Sequence, residues 1–227
     1  MAYSQGFNPH PKVSWAGAAP TGVGSEAEYL EIQLVEEVDP AVLVTELDAA
    51  LPPGIDVVDA VPASPGALAD RIDASRWRIE LPGVSARALR HAADALLAAD
   101  RVEVQRLTKD GMRTIDVRPS VVRIDVQEGP DDAVGEVPGV EMSADGDPCG
   151  ILVVVVRSAS PVVRPDDVLS ALRVVATLEA SVPAKATRVA QGRLEDDGGL
   201  SDPLARDRVA ASGNGAREPM PDQHDVD

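Results

Sequence analysis

The 227-residue chain predicts an α+β protein: two ferredoxin-like (split βαβ) modules in tandem, the first lacking its leading strand and helix, followed by a disordered acidic C-terminal tail. Two patterns carry this expectation. Apolar periodicity switches between two and four residues in the order β-β-α-β over residues 1–65, and β-α-β, β, β-α-β over residues 70–194. Residues 195–227 then turn acidic and rich in Gly, Ser and Pro, a composition that keeps chain solvated.

In the first module, Gly6, Pro9 and Pro11 make the opening an ordered loop, because glycine permits turns and each proline restrains itself and its predecessor. A short strand is expected over residues 12–17, a turn over 20–25 around Gly22 and Gly24, and a half-buried strand over 26–35. Asp39-Pro40 combines a capping oxygen with a proline whose missing N–H is harmless at a first helical position. Leu43, Leu47 and Leu51 continue that helix, Pro52-Pro53-Gly54 stops it, and residues 55–61 read as the next strand. Such a module, short of one strand and one helix, leaves apolar surface uncovered. The expectation is that an N-terminal piece is missing from the gene model or supplied by a partner.

In the second module, residues 77–81 alternate as a strand and Pro82-Gly83 turns the chain. Ser85 caps a helix to Ala99 with Leu89, Ala92, Ala93, Leu96 and Leu97 on one side. A strand over 101–107, a hairpin turn at Lys109-Asp110-Gly111 and a long returning strand over 112–126, broken near Pro119, follow. An acidic loop spans 128–147. Residues 151–156 form a buried strand, Pro165 with Asp166 and Asp167 starts a helix, and residues 185–194 are the last strand.

Hydrophobic residues make up 44% of the chain, yet the aromatics are only Tyr3, Phe7, Trp15, Tyr29 and Trp77, so a core of small aliphatic side chains follows. The formal charge of −17 is concentrated: seven acids and no base in 128–147, and nine acids against three arginines in 195–227, account for −13 of it. Residues 1–70 are also acidic, which leaves the rest of the second half basic at +6. A single cysteine, Cys149, excludes an internal disulfide and any multi-cysteine metal site, including the three-thiolate cluster of a radical SAM enzyme. The longest apolar run, 151–156, is far below the ~20 residues that span a bilayer. No export signal is recognisable, so a cytoplasmic protein without membrane contact is expected.

The segment Tyr3-Ser4-Gln5-Gly6-Phe7-Asn8-Pro9-His10-Pro11-Lys12-Val13-Ser14, with Gly22-Val23-Gly24-Ser25 and Glu28-Tyr29-Leu30, resembles the signature of the radical-SAM-linked family. Asp116-Val117-Arg118-Pro119, Arg164-Pro165-Asp166-Asp167-Val168-Leu169 and Arg188-Val189-Ala190-Gln191-Gly192 resemble its later segments. Members are fused to, or encoded beside, cobalamin-binding radical SAM proteins. The resemblance therefore implies a radical SAM protein as partner. It also implies a strand and an arginine-rich helix ahead of Tyr3, in agreement with the missing piece inferred from the element order.

Candidate site residues concentrate in the opening loop. His10, held between two prolines, has a ring suited to acid/base chemistry or RNA contact near neutral pH, or to organising the turn. Ser4, Gln5 and Asn8 beside Phe7 offer an aromatic face with polar groups for a base edge, whereas the commoner use of such residues is structural, with Phe7 anchoring the loop to the core. Lys12 adds a charge. Arg118, Arg123, Arg157, Arg164, Arg188 and Arg193 form a phosphate-contacting face if their strands are neighbours. His91, His224 and Cys149 receive no role, and zinc spacings, a phosphate-binding glycine loop and a nucleophile elbow are lacking. No cofactor is expected. The leading expectation is an accessory or binding protein that presents RNA such as tRNA to a radical SAM enzyme. The alternatives are a metal-independent RNA-cleaving enzyme of tandem ferredoxin-like type using His10, and a scaffold whose acidic tail binds other proteins.

Overall fold

The computed structural model describes residues 1–5, 7–129, 149–180 and 182–214. Their order is β1 (Val13–Trp15), β2 (Gly24–Ser25), β3 (Leu30–Ile32), α1 (Pro40–Ala50), β4 (Ala74–Pro82), α2 (Ala86–Ala98), β5 (Glu103–Thr108), β6 (Gly111–Asp116), β7 (Val121–Glu128), β8 (Cys149–Arg157), α3 (Pro165–Ala176), β9 (Lys185–Leu194), β10 (Leu200–Ser201) and α4 (Ala205–Asn214). The chain divides into two compact units, one made of residues 15–29 and 68–202, the other of 1–14, 30–67 and the residues from 203 onward.

The larger unit contains the complete module that the second half of the sequence predicts. Its sheet runs β9-β4-β8-β7, every neighbouring pair antiparallel. Counting only β4, β7, β8 and β9, this is the order 4-1-3-2 of a split βαβ fold. α2 and α3 supply the two crossovers, and β5 and β6 form a separate hairpin inserted between α2 and β7. The break expected near Pro119 is a turn of 3₁₀ helix, Arg118–Ser120.

Ser85 Oγ accepts the Ala88 N–H at 3.2 Å and starts α2, whose buried side carries Leu89, Ala92, Ala93 and Leu96. α3 buries Val168, Ala171 and Leu172. Both meet the sheet side formed by Trp77, Ile79, Leu81, Leu152 and Val154. Trp77 is the one aromatic in this aliphatic core. α2 approaches the sheet closely at Gly150, where an added Cβ would lie 2.5 Å from Leu89 Cδ1 and 2.9 Å from the Val84 carbonyl oxygen. Neither neighbour has room to retreat, because Leu89 is fully buried and the carbonyl accepts the Gly150 N–H at 2.7 Å. Gly150→Ala is expected to cost about 1–3 kcal/mol through overpacking, read as a lower urea midpoint.

Two short strands extend this sheet, both along β9. β2 pairs in parallel with β9, Gly24 opposite Thr187, so residues 15–29 join the larger unit. β10 pairs with the end of β9, Leu200 opposite Leu194.

The smaller unit is built differently. β1 and β3 pair as a two-stranded sheet, and α1 follows with Asp39 Oδ1 accepting the Ala41 N–H at 2.8 Å. No side chain of α1 is buried. Val35, Val38, Val42, Ile55 and Val58 are all exposed. The strand expected over 55–61 does not form. Residue Val57 instead donates its N–H to Asp48 at 2.9 Å, and Asp59 and Ser64 are held by α4 through Arg208 and Asp207.

That pairing corrects the expectation of a disordered tail for residues 195–214. Its first twenty residues hold β10 and α4, because the open edge of β9 offers a ladder and because Asp207, only 2% exposed, accepts the Ser64 N–H at 2.9 Å. Acidity here serves a hydrogen bond as well as solvation. Most of the acidic loop 128–147 and the last residues of the tail lie outside the described residues.

Candidate nucleic-acid interface

The opening loop is closed at its base by backbone. The Ser4 N–H donates to the His10 carbonyl at 2.8 Å, and the His10 N–H donates to Ser4 Oγ at 3.0 Å. Tyr3 bridges Pro11, and Lys12 exchanges backbone hydrogen bonds with Ala2 and Gln33. The base is thus stiff, with Pro9 and Pro11 restricting it further. Beyond it the Phe7 ring stands wholly in solvent, and Gln5, Asn8, His10 and Lys12 are exposed. Phe7 does not anchor the loop to a core, as the commoner use of such a residue would have it. Of the polar side chains only the Ser4 hydroxyl is spent within the loop. Gln5, Asn8 and His10 make no side-chain hydrogen bond among the described residues. Their free donors and acceptors lie within three residues of an exposed aromatic ring, a combination suited to stacking one base and hydrogen-bonding its edge.

A second feature lies in the larger unit. Residues 15–29 are held on the sheet by Arg188, whose side chain is 4% exposed. Its Nη1 donates to the Gly17 carbonyl at 2.7 Å, Nε to Ser25 Oγ at 3.3 Å, and Nη2 to the Glu28 carboxylate, while the guanidinium lies 5.6 Å from the Trp77 ring centroid. Buried Gln191 donates to the Ala27 carbonyl at 2.5 Å. Partial burial alone would push the Glu28 carboxyl up. Hydrogen bonds from Ser25 and Arg188, the charge of Arg188 and the Ala19 N–H outweigh it and hold Glu28 below the usual carboxylate range. Over this lock opens a shallow cleft of about 380 Å³, lined by Trp15, Pro20, Thr21, Val23 and Glu28 among others.

Residues 1–165 match the model of a family described as an uncharacterized protein conserved in bacteria, DUF2344. The chain belongs to that family. No curated protein matches it.

Within this DUF2344 chain the arginines singled out in the sequence do not make one basic face. Arg188 is turned inward, as above. Arg118 donates to the Leu97 carbonyl at 3.1 Å and the Val121 carbonyl at 2.9 Å, closing the end of α2, and its buried Nε has no partner among the described residues. Arg123 pairs with Asp125 at 2.8 Å. Arg164 is exposed and stands at the N-cap of α3, where its backbone N–H donates to Asp167. Arg157 and Arg193 are exposed. Arg78, Arg90, Arg101, Arg106 and Arg208 are each paired with a carboxylate. Within the stretch that carries +6, only Arg90, with Glu128, and Arg188, with Glu28, pair with acids outside it, so local pairing offsets about two of those charges.

Cys149 is half-buried, and burial pushes its thiol up, which leaves it a poor nucleophile at neutral pH. Among the described residues no three His, Cys, Asp or Glu side chains gather as metal ligands, and no helix is long and apolar enough to cross a membrane. Trp15, Glu28 and Gln191 are the site residues that sequence reasoning missed. The aromatic Trp15 was a usable signal, but nothing in spacing joins Glu28 to Arg188.

Proposed function

We propose that this chain is a cytoplasmic RNA-binding accessory protein that takes single-stranded RNA on its opening loop and presents it to a radical SAM enzyme. The observation that carries the RNA part is the Phe7 ring, fully exposed on a loop whose base is rigid and whose Gln5, Asn8 and His10 side chains are unspent among the described residues. A base stacked on such a ring contributes about 1–3 kcal/mol. The radical SAM partner rests on the resemblance of the segment from Tyr3 to Ser14. The exposed valines and unburied α1 of the smaller unit support a protein partner of apolar character.

With Lys12 the one charged side chain of the loop, stacking outweighs phosphate contact there. Affinity for a labelled single-stranded oligonucleotide, followed by fluorescence anisotropy, is expected to fall with salt on a log–log slope of only about −1 to −2, since each neutralised phosphate contributes about −0.7. Phe7→Ala is expected to weaken binding about five- to hundredfold with no change in melting temperature. Undiminished affinity in that variant refutes the reading. Recovery of a radical SAM protein with the full-length chain tests the partner.

A further inference from the structure

We propose that α1 of the smaller unit is the docking surface for a basic amphipathic helix of a partner protein. The inference deepens the partner half of the proposed function and rests on it for a protein partner, though not for that partner being a radical SAM enzyme.

The argument begins with the helix itself. Leu43, Val44, Leu47 and Leu51 recur at three- and four-residue spacing, so they form one stripe along α1 and its C-cap. A stripe of that spacing is ordinarily the side that a helix buries. Here nothing on α1 is buried: Leu43, Val44 and Leu47 are half-buried, and Leu51 is exposed. Val35 and Val38 before the helix, and Ile55 and Val58 after it, are exposed as well. So many apolar side chains left in water within one short stretch mark an interaction surface.

Which occupant fits follows from charge. Residues 30–67 hold eight acids and no lysine or arginine. At 100° per residue, Glu46 and Asp48 border the leucine stripe, one on each side. Asp48 also accepts the Val57 N–H, whereas the side chains of Glu36, Glu37, Glu46 and Asp56 have no partner among the described residues. An apolar stripe edged by carboxylates is matched by a second helix whose own stripe is edged by lysines or arginines, as beside the seam of a coiled coil. Helix against helix is also the packing in which rows of residues three and four apart interlock. Phosphate is repelled by these acids, so the surface is no second RNA site. The α1 of another copy would set like charges against each other.

The test titrates the full-length chain with a synthetic peptide of about 18 residues, long enough to hold a helix, made of Leu, Ala and Lys with its leucines at three- and four-residue spacing. Calorimetry follows binding, and circular dichroism follows the helicity of the peptide. The peptide is expected to bind and to gain helix; absence of binding overturns the proposal. A peptide of the same composition with its leucines scattered around the helix should bind about tenfold more weakly or worse, and so should one with Glu in place of Lys. The double variant Leu51→Ser with Ile55→Ser, at two exposed positions, should melt as the parent does and lose affinity about ten- to hundredfold. Glu46→Lys should weaken binding about two- to fivefold. Equal affinity for the ordered and the scattered peptide overturns the proposal, because a chain of net charge −17 then attracts cations and nothing more. Full affinity in the double variant overturns it too. So does a parent that sediments as a dimer beside a monomeric double variant, since a second copy then covers the surface. The oligonucleotide titration is run alongside. RNA binding without peptide binding overturns the docking surface and leaves the RNA reading standing, and peptide binding without RNA binding does the reverse.

Discussion

Arg188→Ala is expected to destabilise the larger unit by about 3 kcal/mol, the low end for breaking a buried ion pair, since Glu28 retains some access to water. The loss is not one contact. The guanidinium spends every nitrogen on residues 15–29, at Gly17, Ser25 and Glu28, and it lies over Trp77. Without it the Glu28 carboxylate loses its charge partner and the parallel pairing of β2 with β9 loses its clamp. With urea m-values of about 1–3 kcal/mol/M, the unfolding midpoint should drop by roughly 1–3 M. Trp77 fluorescence, inside the core, reports the transition. Arg188→Lys should recover little, because an ammonium cannot serve three partners spread along a planar fork. An unmoved midpoint would show that the segment docks by other means.

The same lock sets a pH dependence. Glu28 titrates lower when folded than its ordinary value of 4.5, so its contribution is fully present above that value and is lost as pH falls through the lowered folded value. Glu28→Gln should flatten the acid limb of the stability profile in that window. A parent and variant with superimposable acid limbs would contradict it.

Asp167→Ala is the second large loss expected, about 3 kcal/mol for the buried pair and about 1 kcal/mol more for the helix start. Asp167 is 3% exposed, and its Oδ2 accepts both Arg106 Nη1 at 2.6 Å and the Arg164 N–H at 2.8 Å. The second bond is half of a capping box. Its reciprocal half cannot form, because an arginine side chain has no acceptor. Arg106 belongs to β5 and also donates to the Val162 carbonyl at 3.0 Å, so this pair ties the inserted hairpin to the start of α3. Removing Asp167 strands a largely buried guanidinium. Asp167→Asn, which keeps an oxygen for the backbone N–H, should lose less. Pairing Asp167→Leu with Arg106→Met should restore most of the loss, since neither buried charge then remains. Hydrogen exchange at β5 and β6 is the local readout, with faster exchange expected in Asp167→Ala. Unchanged protection there would count against the tie.

Local chemistry alone determined much of this protein. Ser85 and Asp39 cap the helices they were expected to cap, and Pro165 opens α3. Strand alternation at Trp77 to Leu81 and the break at Pro119 were equally legible, since each depends on residues within one turn or one pleat. Those elements sufficed for the ferredoxin-like order of the larger unit. What the sequence left open was every choice made at long range. Whether Arg188 met phosphate or Glu28, and whether Asp207 solvated a tail or accepted from Ser64, depended on which strand edges and loops came together. Phe7 is the converse case, as its exposure follows from a loop that closes on its own backbone before the ring can reach any core. A charge or an aromatic ring has the same local pattern whether it is buried or free. Only tertiary packing decides how much water it keeps, and with that whether it holds the fold or remains available to a ligand.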